Sequence, residues 1–192
     1  MRIAIVILAA AHATLFVACS SGARAGKNDM SADHAMGNGV RAQGAPSGTV
    51  SVAARRQVDR DLERIRTATA SFKSLDAAVT AGYQREVKQC IAHPTLGGMG
   101  YHHANDALFD DKLNVEHPEI LVYEKKPNGE YKLNGVEFYV PFSAHPRDAA
   151  PPEIMGQKLT PFDPGKFWYL HVWAWTDNPA GVFADWDPEV KC

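Results

Sequence analysis

Residues able to bind a metal or move a proton stand in three separate segments: His102 in GGMGYHHAND, Glu137 in YKLNGVEFYV and His171 in KFWYLHVWAW. Two imidazoles and a carboxylate are the donor set of hydrolytic zinc centres, which keep a position open for water, and the same set serves non-haem iron. Zinc, copper or iron is the cofactor class this composition points to, with Glu124 as a fourth candidate ligand. In an enzyme of this kind the metal would assist hydrolysis or oxidation, with Glu137 as ligand or base. The spacing itself is no motif, so the fold must bring positions 102, 137 and 171 together. The alternative is a non-catalytic module without metal, in which the same side chains satisfy one another and an aromatic face docks a small ligand or an envelope protein. The chain has no serine in a nucleophile-elbow setting, no phosphate-binding glycine loop and no HExxH helix.

Strand-like segments position these residues. EILVYEKK (119 to 126), YKLNGVEFYV (131 to 140) and KFWYLHVWAW (166 to 175) are β-branched and aromatic runs bounded by Pro, Gly and Asn. Asn128-Gly129 joins the first two and predicts an antiparallel hairpin. Alternation places Leu133, Gly135, Glu137 and Tyr139 on one side of the second strand. It likewise places Phe167, Tyr169, His171, Trp173 and Trp175 on one side of the third. Both sides of these strands are apolar, so Glu137 is expected inside, where a carboxylate needs a partner or a shifted protonation state. In an extended MGYHH the two imidazoles point to opposite faces, so one of them joins any given pocket. His102 is the expected member, with His103 at the surface or beside Asp106. The glycines at 97, 98 and 100 allow a tight turn or a close backbone approach next to that pocket.

Ahead of the strands, Val58, Leu62, Ile65, Thr69 and Phe72 repeat at helical spacing and predict a helix over 52 to 72. A short helix is expected over LDAAVTA, with Ser74 as N-cap and Gly82 as stop. The proline-rich stretch from Ser143 to Pro164 reads as a long surface loop. Helices first and strands afterwards predict an α+β fold: a helical layer packed on an antiparallel sheet or partial β-barrel.

The N-terminus reads as an export signal over 1 to 18, with Arg2 before a mostly apolar run. LFVACSSG resembles the lipobox of bacterial lipoproteins, which makes Cys19 the lipidation site, Ser20 a residue compatible with transfer to the outer membrane, and the lipid anchor the membrane partner. Residues 19 to 50 have the composition of a flexible tether, leaving 51 to 192 as a single domain. In an oxidising compartment Cys90 and Cys192 are expected to form a disulfide, with a metal site at Cys90 and His93 as the competing reading. Lys and Arg total 20 against 22 Asp and Glu, a formal net charge of -2, which offers no basic field for nucleic acid.

Taken together, DAAVTAGY, GGMGYHHAN, HPEILVYEKKPNGEYKLNGVEFYVP and YLHVWAWTDNPAGVFADWDPEVKC resemble a family of exported bacterial proteins and lipoproteins of unknown function. The resemblance covers about residues 75 to 192. It implies a single secreted or lipid-anchored domain, and its motif positions correspond here to Cys90, Gly98, Gly100, His102, Glu124, Glu137, His171, Asn178 and Cys192. It implies no activity.

Overall fold

The computed structural model describes residues 51–86 and 89–192; the expected signal over 1 to 18, the lipidation site Cys19 and the tether lie outside them. Helix α1 spans Val52–Thr69 and is capped by Ser51, whose side chain accepts a hydrogen bond from the Ala54 amide at 3.1 Å. Its face Leu62, Ile65 and Thr69 is buried, as the periodicity predicts. Asp61 is buried beside them, accepting from Gln57 Nε2 at 3.0 Å and pairing with Arg64 at 3.3 Å. The helix tightens into a 3-10 turn at Ala70–Lys73, and this turn carries Phe72. Helix α2, Leu75–Thr80, starts at Ser74 as expected. At its end Gly82 has φ +108°, the Gly82 amide donates to Val79 O, and the Tyr83 amide donates to Ala78 O. That pair of bonds is the Schellman arrangement, which needs a left-handed residue where glycine is best tolerated.

The strands are β1 (Arg85–Glu86), β2 (Ile91–His93), β3 (Gly97–Ala104), β4 (Ile120–Lys125), β5 (Tyr131–Pro141), β6 (Glu153–Ile154), β7 (Gln157–Lys158), β8 (Thr160–Phe162) and β9 (Phe167–Val172). Seven of them form one antiparallel sheet in the order β1-β3-β4-β5-β9-β8, with β2 also on β3, while β6 and β7 form a separate hairpin. The fold is α+β, and the sheet stays open; it does not close into a barrel. The stretch from 143 to 164 is more than a loop. It contains the β6-β7 hairpin and the edge strand β8, which its prolines conceal in the sequence and which an edge position tolerates.

The β4-β5 hairpin forms as Asn128-Gly129 predicts, but its register slips by one residue: Val122 pairs with Gly135 and Tyr123 pairs with Leu133. Asn134 is the extra residue of a β-bulge. Strict alternation fails at this point. Leu133 joins Tyr123 in the helix-facing core, whereas Gly135 and Glu137 stay on the opposite face. The helix-facing side carries Leu121, Tyr123, Val136, Phe138, Val140, Trp168, Leu170 and Val172, packed with Leu62 and Ile65 of α1. Burying a side chain of this class contributes roughly 1.5 to 3 kcal/mol.

Among the described residues no α-helix packs on the other face. Its cover includes Phe109, whose ring stacks on Tyr139 with centres 4.1 Å apart, and the chain's own end. After β9 the backbone loops back, so that the Trp173 amide donates to Val182 O at 2.9 Å and Trp173 Nε1 donates to Ala184 O at 2.7 Å. It then pairs Asp187 with Gly98 of β3 and finishes in the Cys90–Cys192 disulfide, with the two Cα atoms 5.5 Å apart. Gly97 makes this contact possible, since a Cβ there would run into the Asp187 carbonyl. The segment 173 to 192 is therefore a strap, pinned to β9 at one end and to β2 and β3 at the other.

Candidate functional site

The strap-covered face holds His102, Glu137 and His171. Glu137 and His171 are direct cross-strand partners on β5 and β9, so their side chains leave the sheet side by side. His102 comes from β3, in a row that continues through Val122 and Gly135. Gly135 lets the Val172 carbonyl approach, where a Cβ would clash, and His102 Nε2 reaches Glu137 Oε2 at 3.3 Å. The two imidazole rings lie 6.1 Å apart, centre to centre. The site that the sequence assembles from three separate segments is thus brought together by register.

The cluster is dry. His102, Glu137 and His171 are 4%, 7% and 0% exposed. His102 Nδ1 and both nitrogens of His171 have no hydrogen-bond partner. Trp173 closes one side of His171, with ring centres 4.6 Å apart. Buried polar atoms without partners are rare, because each costs about 1 to 3 kcal/mol. Three lie in this cluster, and both nitrogens of His103 on the opposite face are unpartnered as well.

Burial sets the protonation states. Desolvation pushes the Glu137 carboxyl up to about 8, with the charges of Asp185 and Glu119 adding to the rise. It pulls His102 down to about 4, which the Gly100 carbonyl offsets in part without forming a proper hydrogen bond. His171 falls to about 3, again through desolvation first and then through His102. Burial thus favours the neutral form of both partners in the 3.3 Å His102–Glu137 contact over an ion pair. A bound cation would displace the Glu137 proton.

Other expected members fall elsewhere. Glu124 lies four residues along β4 from Ile120, the partner of Glu137, which is about 13 Å of strand. Its Oε2 accepts from Asn134 Nδ2 at 3.3 Å, beside the bulge. His103 points to the opposite face, as alternation requires, but it is buried against Tyr123 and not at the surface. Asp106 pairs with Arg85. Trp175 also departs from its expected row. The strand ends at Val172, and Trp175 turns toward α1, where its Nε1 donates to Thr69 Oγ1 at 3.0 Å. Cys90 is in the disulfide and is unavailable as a thiolate to join His93.

Two acidic residues escape the sequence reading. Glu119 is 1% exposed, its Oε2 accepts from the Tyr139 amide at 3.1 Å, and burial pushes it up to about 8. Asp185 lies on the strap and accepts from the Tyr169 hydroxyl at 3.1 Å. Tyr169 is two residues from His171 and on the same face of β9. Neither acid belongs to a periodic pattern, so no spacing signal marks them.

Among the described residues no group of three or more His, Cys, Asp or Glu side chains is drawn together tightly enough to encage a metal ion. A recess of about 370 Å³ beside Arg85 and Asp106, and another of about 210 Å³ beside Arg66 and Trp175, are lined by other residues. Comparison of the chain with protein-family models, with curated proteins and with solved structures finds no match.

Proposed function

We propose that this is an exported envelope protein that binds one transition-metal ion, zinc, copper or iron, between His102, His171 and Glu137. The observation that carries this reading is the set of three unpartnered imidazole nitrogens beside a buried carboxyl. Neutral imidazoles are metal ligands without further deprotonation, and Glu137 needs to lose one proton to join them. When bound, the ion would supply Lewis acidity or redox chemistry, and this chain's own residues would hold it in a site shielded from bulk water. The Cys90–Cys192 disulfide supports export, because such bonds persist in oxidising compartments. The signal over 1 to 18 and the lipidation of Cys19, with anchoring to the outer membrane, belong to the same proposal. Among the described residues no helix is long and apolar enough to cross a membrane.

A second reading is favoured by the loose arrangement of the acidic and imidazole groups: a binding or structural module of the envelope in which the His102–Glu137 contact is architecture. Titration of the metal-free protein with zinc separates the two. The first reading predicts saturation near one equivalent in wild type, and a loss of at least tenfold in affinity in His102→Ala and His171→Ala. Unchanged binding in both variants, or none in wild type, would overturn it.

A further inference from the structure

Away from the histidines the same side of the sheet becomes aromatic. Tyr139 and Tyr169 are cross-strand partners on β5 and β9, and Phe167 and Phe162 are partners on β9 and β8, so alternation turns all four rings to the side that carries Glu137 and His171. Phe109, from the connection between β3 and β4, adds another ring. The ring centres of Phe109, Tyr139, Phe167 and Phe162 follow one another at 4.1, 4.6 and 5.1 Å, a row that runs out to the β8 edge. Gly165 lets the row close there, since a Cβ would run into the rings of both Phe162 and Phe167. No ring of the row is fully covered: Phe109, Tyr139 and Phe167 are half-buried, and Phe162 is 38% exposed.

At its other end the row meets polar groups. The Arg85 guanidinium lies 4.9 Å from the centre of the Phe109 ring and pairs with Asp106. Those two residues, with Gln84 and Asn105, also line the open recess of about 370 Å³. Its wall therefore offers a guanidinium, a carboxylate and two amides beside an aromatic ring. The charges at the two ends of the row come in opposite pairs, Arg85 with Asp106 and Arg147 with Asp163, the residue after Phe162. These pairs create no field of one sign.

We propose that the recess and the aromatic row form a binding site for an uncharged oligosaccharide. A sugar ring presents an apolar C–H face to an aromatic side chain and a rim of hydroxyls to paired guanidinium, carboxylate and amide groups, and it brings no charge that the site would have to neutralise. A polyanion or a polycation would find no attracting field there. Each half-exposed ring that a sugar covers adds buried apolar area, so a chain of sugars gains along the row while its end residue occupies the recess. None of these residues belongs to the His102–Glu137–His171 cluster, so the site stands whether or not a metal binds there.

The test is calorimetric titration of the protein with cellohexaose, maltohexaose and N-acetylchitohexaose, and with tetramethylammonium as a cationic probe of the same rings. At least one hexasaccharide should bind. Its affinity should fall about tenfold or more in Phe162→Ala and in Arg85→Ala, at opposite ends of the site, which is the effect of truncating an anchoring aromatic or arginine. Both side chains are exposed, so the thermal midpoint should hardly move in either variant. Leu96→Ala, which removes an exposed apolar side chain outside the row, should bind as wild type does. No binding of any hexasaccharide at about 10 mM, or binding of tetramethylammonium alone, would overturn the proposal. Wild-type affinity in both Phe162→Ala and Arg85→Ala would overturn it as well, by placing the sugar elsewhere.

Discussion

The two faces of the sheet are built by different rules. The helix-facing side is mostly apolar and closely packed, with Phe138, Val136, Val172 and Leu121 at 0% exposure, and it buries one histidine, His103, whose two ring nitrogens have no partner. The strap-facing side is just as buried around His171, yet it encloses two histidines and a carboxyl with unmet hydrogen-bonding capacity. Equal burial with different chemistry shows that burial alone does not mark a core. Both faces bury an imidazole with unpartnered nitrogens, but the strap side alone sets two of them beside a buried carboxyl.

The comparison can be broken by substitution. Phe138→Ala, on the helix side, is expected to cost about 3 to 5 kcal/mol in equilibrium unfolding and to leave zinc binding intact wherever the protein stays folded. Removing the disulfide by Cys90→Ser with Cys192→Ser should cost up to about 4.7 kcal/mol by the chain-entropy estimate for a closed loop of 102 residues. A cost near zero would mean that the strap is held mainly by its non-covalent contacts. On the strap side, His171→Leu should change stability by less than about 1.5 kcal/mol in either direction, since it removes two unsatisfied buried nitrogens while keeping apolar volume. A loss as large as that of Phe138→Ala would assign His171 to the core after all.

A pH series sharpens the same contrast. Glu119 and Glu137 are pushed up to about 8 from an ordinary value of 4.5, so the unfolded chain releases those protons first. Their stabilising contribution is complete below about pH 4.5 and is lost as pH rises toward 8. The buried histidines, lowered from 6.5 to about 4 and about 3, act in the other direction: their contribution is complete above 6.5 and is lost as pH falls. Between about pH 6.5 and 8 the carboxyl contribution dominates the balance. The metal-free protein should therefore weaken as pH rises there, by up to about 1.4 kcal/mol per unit for each carboxyl, and Glu119→Gln should remove roughly half of that slope. A flat profile in wild type would show that these carboxyls ionise freely. The smallest effect is expected at Glu124→Gln, which should leave zinc affinity unchanged, since the Glu124 carboxylate meets Asn134.

Much of this architecture is legible in the sequence for identifiable reasons. The helical repeat of Leu62, Ile65 and Thr69, the Ser74 cap and the Gly82 stop are local signals, and local hydrogen bonding decides them. The hairpin at Asn128-Gly129 is legible because its turn requires a positive φ, observed at Gly129 as +88°. The pairing of Glu137 with His171 follows from strand alternation, once β5 and β9 are neighbours. Alternation cannot reveal the Asn134 bulge, which moves Leu133 to the other face through a register shift between strands. Nor does it reveal β8, whose pairing with β9 is long-range and whose Pro161 argues against a strand, or the place of Asp185, which is set by contacts of the strap with β9 and β3. Glu124 lies on the same face of β4, two residues from the partner of His102 and four from the partner of Glu137, and its carboxylate meets Asn134.

The measurement that tests the central claim most directly is elemental analysis of the protein exported to a bacterial periplasm and purified without a His-tag or chelator. The account predicts about one equivalent of zinc, copper or iron in wild type, absent from His102→Ala and His171→Ala variants that still fold. Folded wild-type protein free of metal, and still free of it after reconstitution with each of the three ions, would contradict the account and leave the cluster as an internal hydrogen-bond network.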